Sequence, residues 1–129
     1  MVAHPQTLTV QAIPPADAAR ALAAHMGRDP TGRTDAAALA AMTERGQCFA
    51  LGGAADAVYV VNVRNGVCWV DAFAGRGPDL VRVLAGLLDQ QAAGCRSVAF
   101  QTARRGLVRQ VQRHGYRITG WILEKDLTQ

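Results

Sequence analysis

The stretch VCWVDAFAGRGPDLVRVLAGLLDQQAAGC, residues 67–95, constrains the fold more than any other part of the chain. Val67, Trp69 and Asp71 alternate with Cys68, Val70 and Ala72, a run of strand-forming residues. Gly75-Arg76-Gly77-Pro78 then breaks the strand, and proline suits the first turn of a helix. Leu80, Val83, Leu84, Leu87 and Leu88 follow at i, i+3, i+4, i+7 and i+8, one apolar stripe of a helix. Gly94 can adopt the left-handed conformation that ends it. A strand that feeds a helix N-terminus through a glycine turn is a place where backbone N–H groups can meet an anion. An ordinary βα unit that binds nothing carries the same pattern.

The segments on either side read in the same way. Residues 7–13, TLTVQAI, predict a first strand, stopped by Pro14-Pro15. Pro15-Ala16-Asp17 opens a helix with Ala19, Leu22, Ala23 and Met26 on one face. Residues 27–32 form a polar turn. Thr34 or Asp35 can cap a second helix, whose apolar face is Ala38, Leu39 and Met42 and whose end is Gly46. Residues 47–73 predict a three-stranded antiparallel meander. One turn lies over Gly52–Ala55 and the other at Asn65-Gly66, the strongest two-residue hairpin signal. SVAFQTA, residues 97–103, predicts another strand, and residues 105–114 a helix that keeps Leu107, Val108 and Val111 inward. YRITGWILEKDL predicts a closing strand with a bend at Gly120. The order is β-α-α-β-β-β-α-β-α-β. It implies an α/β (α+β) domain with a mixed sheet, parallel where a helix supplies the crossover, and helices on both faces.

A chain of 129 residues, half of them hydrophobic, is expected to form one domain over residues 1–129 with a core of its own. No apolar run approaches the ~18 residues of a membrane span, and no basic start precedes an apolar run as in a secretory signal. Cys48, Cys68 and Cys95 are odd in number and widely spaced, which favours free thiols in a reducing, cytoplasmic compartment. Neither the cysteines nor the histidines His4, His25 and His114 have metal-ligand spacing. The net charge is +4, and six arginines fall in the last third, so that region favours anionic ligands.

This order of elements resembles the GCN5-related N-acetyltransferase (GNAT) superfamily over nearly the whole chain. VDAFAGRGPDLVRVLAGLL stands where that family runs its fourth strand into a phosphate-binding turn and a long helix, with Arg76-Gly77 matching the start of the turn. RGLVRQVQRHGYRITGWILEKDL resembles the late helix, Gly-aromatic pair and last strand, with Gly115-Tyr116 as the pair. The resemblance implies transfer of an acetyl group from acetyl-CoA to an amine-bearing acceptor. It implies donor contacts at Ala72, Phe73, Arg76, Gly77, Leu80, Gln101 and Arg105, with pantetheine between the fourth and fifth strands. Asp79 and Val81 stand where the family prefers glycines, and Val111 stands where it usually has the tyrosine that protonates the thiolate. Those departures support an alternative reading, a GNAT-fold binding or assembly module without catalysis. Small divergent members of this kind occur in tailed-phage genomes, and this chain resembles them. A homodimer or a protein partner is compatible with either reading.

Asp71 is the only carboxylate of the central strand and the candidate general base; a strand aspartate near a turn is more often solvated or hydrogen-bonded. Arg76 either binds a phosphate or is a solvated turn arginine. Trp69, Tyr116 and Trp121 read as packing residues, and Cys68 as a buried inert thiol. Arg105, Arg109 and Arg113 line one face of the last helix. That row is a solvated face, a seat for the CoA 3′-phosphate, or a nucleic-acid contact. Three arginines are too few for the last, because nucleic-acid affinity needs several phosphates neutralised together. Thiol titration of the denatured, unreduced protein is expected to find all three cysteines; finding one would reveal a disulfide.

Overall fold

The computed structural model describes residues 8–24, 35–53, 56–77 and 79–128. Its elements are β1 (Leu8–Ala12), α1 (Pro15–Ala23), α2 (Ala36–Arg45), β2 (Gln47–Gly53), β3 (Asp56–Arg64), β4 (Val67–Arg76), α3 (Leu80–Gln91), β5 (Ser97–Ala99) and α4 (Arg105–Gln112). The strands form one sheet in the order β1-β2-β3-β4-β5. The first four pair antiparallel, and β4 pairs parallel with β5. The mixed α/β sheet is the one the element order predicts.

β3 lies at the centre of the sheet, which explains its nearly continuous apolar sequence AVYVVNV: a strand covered on both faces has no solvent side on which to place polar residues. Ala57, Tyr59 and Val61 face α3, where Leu84 and Leu88 pack on them. Val60 faces the other way, against Ala18 and Leu22 of α1 and Leu39 of α2. Both faces of the sheet are therefore covered by helices. The hairpin between β3 and β4 turns at Asn65 (φ 51°) and Gly66 (φ 76°), the two positive φ values that an Asn-Gly turn needs.

The apolar faces of the first two helices sit one position away from the periodicity reading. On α1, Ala18 and Leu22 are buried and Ala23 is exposed; Met26 lies outside the described residues. On α2, Leu39 and Thr43 are buried while Ala38 and Met42 flank them. Alanine-rich helices have weak stripes, so the sheet they lean on decides their rotation. Thr43 is buried at no cost in unpaired polarity, because its hydroxyl donates to the Leu39 carbonyl at 2.9 Å. Asp35 is the cap of α2, accepting from the Ala38 N–H at 2.8 Å; Thr34, the polar turn at 27–32 and the tip of the β2–β3 turn lie outside the described residues.

The closing strand expected over the C-terminal segment does not form. After α4, Gly115 takes φ 90° and Tyr116 donates its N–H back to the Val111 carbonyl. No helix or strand follows among the described residues. A strand exists only where a neighbour completes its ladder, and residues 117–128 have no such neighbour within the sheet.

Tyr59 is fully buried, stacks on Phe49 with ring centroids 5.4 Å apart, and donates its hydroxyl to Gln91 Oε1 at 2.6 Å. Burial pushes its phenol up to about 12 and also raises the thiols of Cys48 and Cys68. The unfolded chain releases these protons at lower pH than the folded one, a phenol at about 10. Stability from these groups is thus complete at neutral pH and is lost as pH rises, first through the thiols and then between about 10 and 12. Thermal melts across pH are expected to show that decline. Tyr59→Phe is expected to remove its upper part and to cost about 1 kcal/mol at neutral pH through the lost hydrogen bond.

Candidate functional site

The site begins with a fault in the ladder. Val60 pairs with Ala72 and Val61 with Val70, so Asp71 is an extra residue on β4 that no β3 residue opposes. Such a bulge changes the phase of a strand. Cys68 and Val70 pack on the α3 side before it, whereas Phe73 packs there after it. Ala72 and Ala74 pack on the side of α1 and α2. The simple alternation read from the sequence therefore holds only as far as Val70.

The same region releases β4 from β5. The parallel pairing covers Val67↔Ser97, Cys68↔Val98 and Trp69↔Ala99, and then stops. β4 continues to Arg76 with no partner on that edge, while the chain after Ala99 leaves strand geometry. A cleft opens here between residues 69–75 of β4 and residues 97–104, part of a concavity of about 1990 Å³ that also reaches residues of α1 and α2 and residues 114–122. Main-chain N–H and C=O groups along an unpaired strand edge must bond to water or to a ligand. The expected strand at 97–103 is shortened to Ser97–Ala99 because its partner diverges from it.

Charge at the bulge is arranged by a residue the sequence reading passed over. Arg64, at the end of β3, donates from both terminal nitrogens to the Asp71 carboxylate, at 3.1 and 3.0 Å. Its guanidinium also lies 5.2 Å from the centre of the Trp69 ring. The Asp71 partner raises the Arg64 pKa further. Arg64 stands immediately before Asn65-Gly66, and the hairpin register set by that turn, Arg64↔Val67, was the available signal. Trp69, read as a packing residue, lines the cleft as well.

At the far end of β4, Gly75 passes so close to β3 that a Cβ would meet the Ala57 Cβ at 2.4 Å and the Asp56 carbonyl at 2.6 Å. Arg76 and Gly77 are exposed, and Gly77 has φ 129°. Asp79 precedes α3 in the left-handed region, φ 59°, and its side chain caps nothing in the helix; its carboxylate accepts from Arg82 at 3.3 Å. The first turn of α3 therefore has no side-chain cap.

Of the predicted site residues, the cleft brings together Asp71, Ala72, Phe73 and Gln101. Gly75 and Arg76, expected to break the strand, continue it: Arg76 is the last residue of β4, paired with Asp56, and Gly77 follows it. Leu80 is half-buried against the α3-side core, and Arg105 is exposed at the start of α4. Val111 is buried and faces inward, as read. Tyr116 is more than a packing residue: it lines the cleft and meets Phe100 edge-on, with ring centroids 5.5 Å apart. Burial, with a smaller contribution from the Asp89 charge, raises its phenol pKa. All three cysteines are free, and no group of side chains among the described residues could hold a metal ion. No helix among the described residues is long and apolar enough to cross a membrane.

No family model matches the sequence, and no curated protein matches it. Solved structures do match. An IAA acetyltransferase from Bacillus cereus is 16% identical, with a TM-score of 0.67 over 88% of this chain and 79% of that one. The aminoglycoside N-acetyltransferase AAC(6')-Iy, solved in complex with CoA, is 15% identical, with a TM-score of 0.59 over 99% of both chains. A ribosomal-protein-alanine N-acetyltransferase from Brucella melitensis is 9% identical, with a TM-score of 0.60 over 92% of this chain and all of that one. The fold is that of the GNAT acetyltransferases. Within the GNAT fold, identities this low establish architecture, and activity has to be argued from the site.

The bidentate Arg64–Asp71 pair, with side chains 45% and 17% exposed, is a surface-edge interaction. A double-mutant cycle with Arg64→Met and Asp71→Asn, read by chemical denaturation, is expected to give a coupling of about 1 kcal/mol that shrinks in high salt.

Proposed function

We propose that this chain transfers an acetyl group from acetyl-CoA to an amine. The observation that carries the reading is the edge of β4 beyond Trp69, which has no strand partner and faces the cleft. Pantetheine is an extended chain with two amides, and such a chain can bond to a free strand edge as an added strand would. Ala72 and Phe73 supply that edge, and Gln101, two residues beyond β5, lines the same cleft. The pyrophosphate then falls on Arg76, Gly77 and the N–H of Leu80, where the uncapped first turn of α3 favours an anion. Arg105 takes the 3′-phosphate. The solved neighbour AAC(6')-Iy, which holds CoA, supports this use of the fold.

The chemistry follows from that placement. The amine nitrogen attacks the thioester carbonyl, forming the C–N bond, and a β4 N–H stabilises the oxyanion. Asp71, oriented by Arg64 and still holding free lone pairs, receives the amine proton through water. The C–S bond breaks, and Tyr116 protonates the thiolate in place of the tyrosine that Val111 has replaced. Its phenol is protonated at neutral pH, the form a donor needs.

Acetyl-CoA titrated into wild type, Arg76→Ala and Asp79→Gly in one buffer tests the donor site. Arg76→Ala is expected to weaken binding by roughly 10- to 100-fold, the ~1.5–3 kcal/mol of a charged hydrogen bond. Asp79→Gly is expected to tighten it, because it removes a negative charge and places glycine at a positive φ. Micromolar binding that neither substitution changes would remove the turn from the site. In a thiol-release assay with a panel of amines, Tyr116→Phe is expected to lower kcat by roughly 100-fold and leave KM nearly unchanged. Tight binding of acetyl-CoA with no release by any amine would instead favour the non-catalytic module.

A further inference from the structure

The charged side chains that line the concavity, among the described residues, are Arg64, Arg96, Arg104 and Arg117 against Asp71 and Asp89. One of the two carboxylates is already engaged, because Arg64 donates to both oxygens of Asp71, at 3.1 and 3.0 Å. Arg64 spends one N–H of each terminal nitrogen on that pair and keeps its Nε–H and outer N–H groups for another acceptor. Its side chain is 45% exposed, and it shares one face of the β3–β4 hairpin with Trp69 and Asp71. Arg96 stands beside the turn of the same hairpin. Its N–H donates to the Gly66 carbonyl at 2.8 Å, and its Cγ lies 3.9 Å from where a Gly66 Cβ would be. A second exposed guanidinium is thereby tethered next to the hairpin that carries Arg64.

We infer that the acceptor is an amine that itself carries an anionic group, a carboxylate or a phosphate, and that Arg64 and Arg96 select it. The inference rests on the acetyltransferase reading, which puts the reacting nitrogen beside Asp71. In that reading the donor's phosphates take Arg76, Gly77, Leu80 and Arg105, at the other end of β4 and at the start of α4. Arg64 and Arg96, at the hairpin end, are left to the acceptor. A group attached close to the reacting nitrogen meets Arg64 first, because that guanidinium is bonded to the same carboxylate. A guanidinium presents N–H groups in a flat fork that matches the oxygens of a carboxylate or a phosphate. Arg96 adds positive charge on the same side of the cleft and strengthens the field an anion meets there. The converse follows from the same charges. The second ammonium of a polyamine would find Asp71 already neutralised, and it would meet the like charges of Arg64 and Arg96. The cleft therefore discriminates in both senses, by attracting an anionic substituent and by repelling a second cation.

Rates of thiol release at saturating acetyl-CoA test the inference with matched acceptors in one buffer: alanine against alaninamide, phosphoethanolamine against ethanolamine, and spermidine as the polycation. The anionic member of a pair is expected to have the larger kcat/KM by about 10-fold or more, and the pair that shows it tells a carboxylate from a phosphate. Arg96→Ala is expected to shrink the ratio within that pair by roughly 5- to 10-fold, through KM. Arg96→Glu is expected to abolish or reverse it. Arg45→Ala removes the same charge from an exposed position outside the cleft and is expected to keep the wild-type ratio. Raised salt is expected to narrow the ratio as well. Calorimetry of the same acceptors into protein saturated with CoA reads the preference without turnover. Binding of the anionic members there, with no thiol release, would remove the transferase reading and leave the anionic-amine site in place. Equal rates and equal binding within both pairs, a preference for spermidine, a ratio that survives Arg96→Glu, or no binding of any acceptor at millimolar concentration would each overturn the inference.

Discussion

The site depends on β4 losing its second neighbour at Trp69. Up to that point β4 is an interior strand, bonded to β3 on one edge and β5 on the other. Beyond it, β4 is held by β3 alone. The bulge at Asp71 falls two residues after the last β4–β5 pair, and a bulge increases local twist and bends its strand. The bend turns one half of β4 away from β5, and the cleft is the space between them. The reversal of facing at Ala72 and Phe73 follows from that one inserted residue.

Electrostatics then divides the cleft. Around the bulge, Arg64 and Asp71 neutralise each other and Trp69 covers the guanidinium. Exposed arginines flank the cleft: Arg76 at the end of β4, and Arg104 and Arg105 before and at the start of α4. Asp79 is the discordant residue. It puts a carboxylate and a left-handed backbone at the N-terminus of α3.

Rigidity comes from the opposite side of the same sheet. β2 and β3 carry side chains of both core clusters, and Tyr59 ties β3 to the end of α3 through Gln91. The N-terminal half of β4 is fixed by this frame, so the divergence falls on its last residues and on the chain after Ala99. The described residues after Tyr116, 117–128, are all exposed.

The sequence by itself determined the elements whose information is local. Asn65-Gly66 demands a two-residue hairpin, the leucines of 80–88 form one helical stripe, and Asp35 and Gly115 end their elements, because these signals reside in φ preferences and in 3.6-residue periodicity. The placement of the helices on two faces and the parallel crossover followed from their order. Only the tertiary structure decided the rest. The bulge at Asp71 depends on the register against β3, and a single strand's sequence does not contain its register. The Arg64–Asp71 pair depends on a long side chain reaching past Trp69 along one face of the hairpin, which periodicity does not record, and so Arg64 was missed. The rotation of α1 and α2 was set by the sheet beneath them, since alanine gives little preference of its own. YRITGWILEKDL has the residues of a strand, yet strand formation is a property of two stretches of backbone in contact, and among the described residues no strand lies against it.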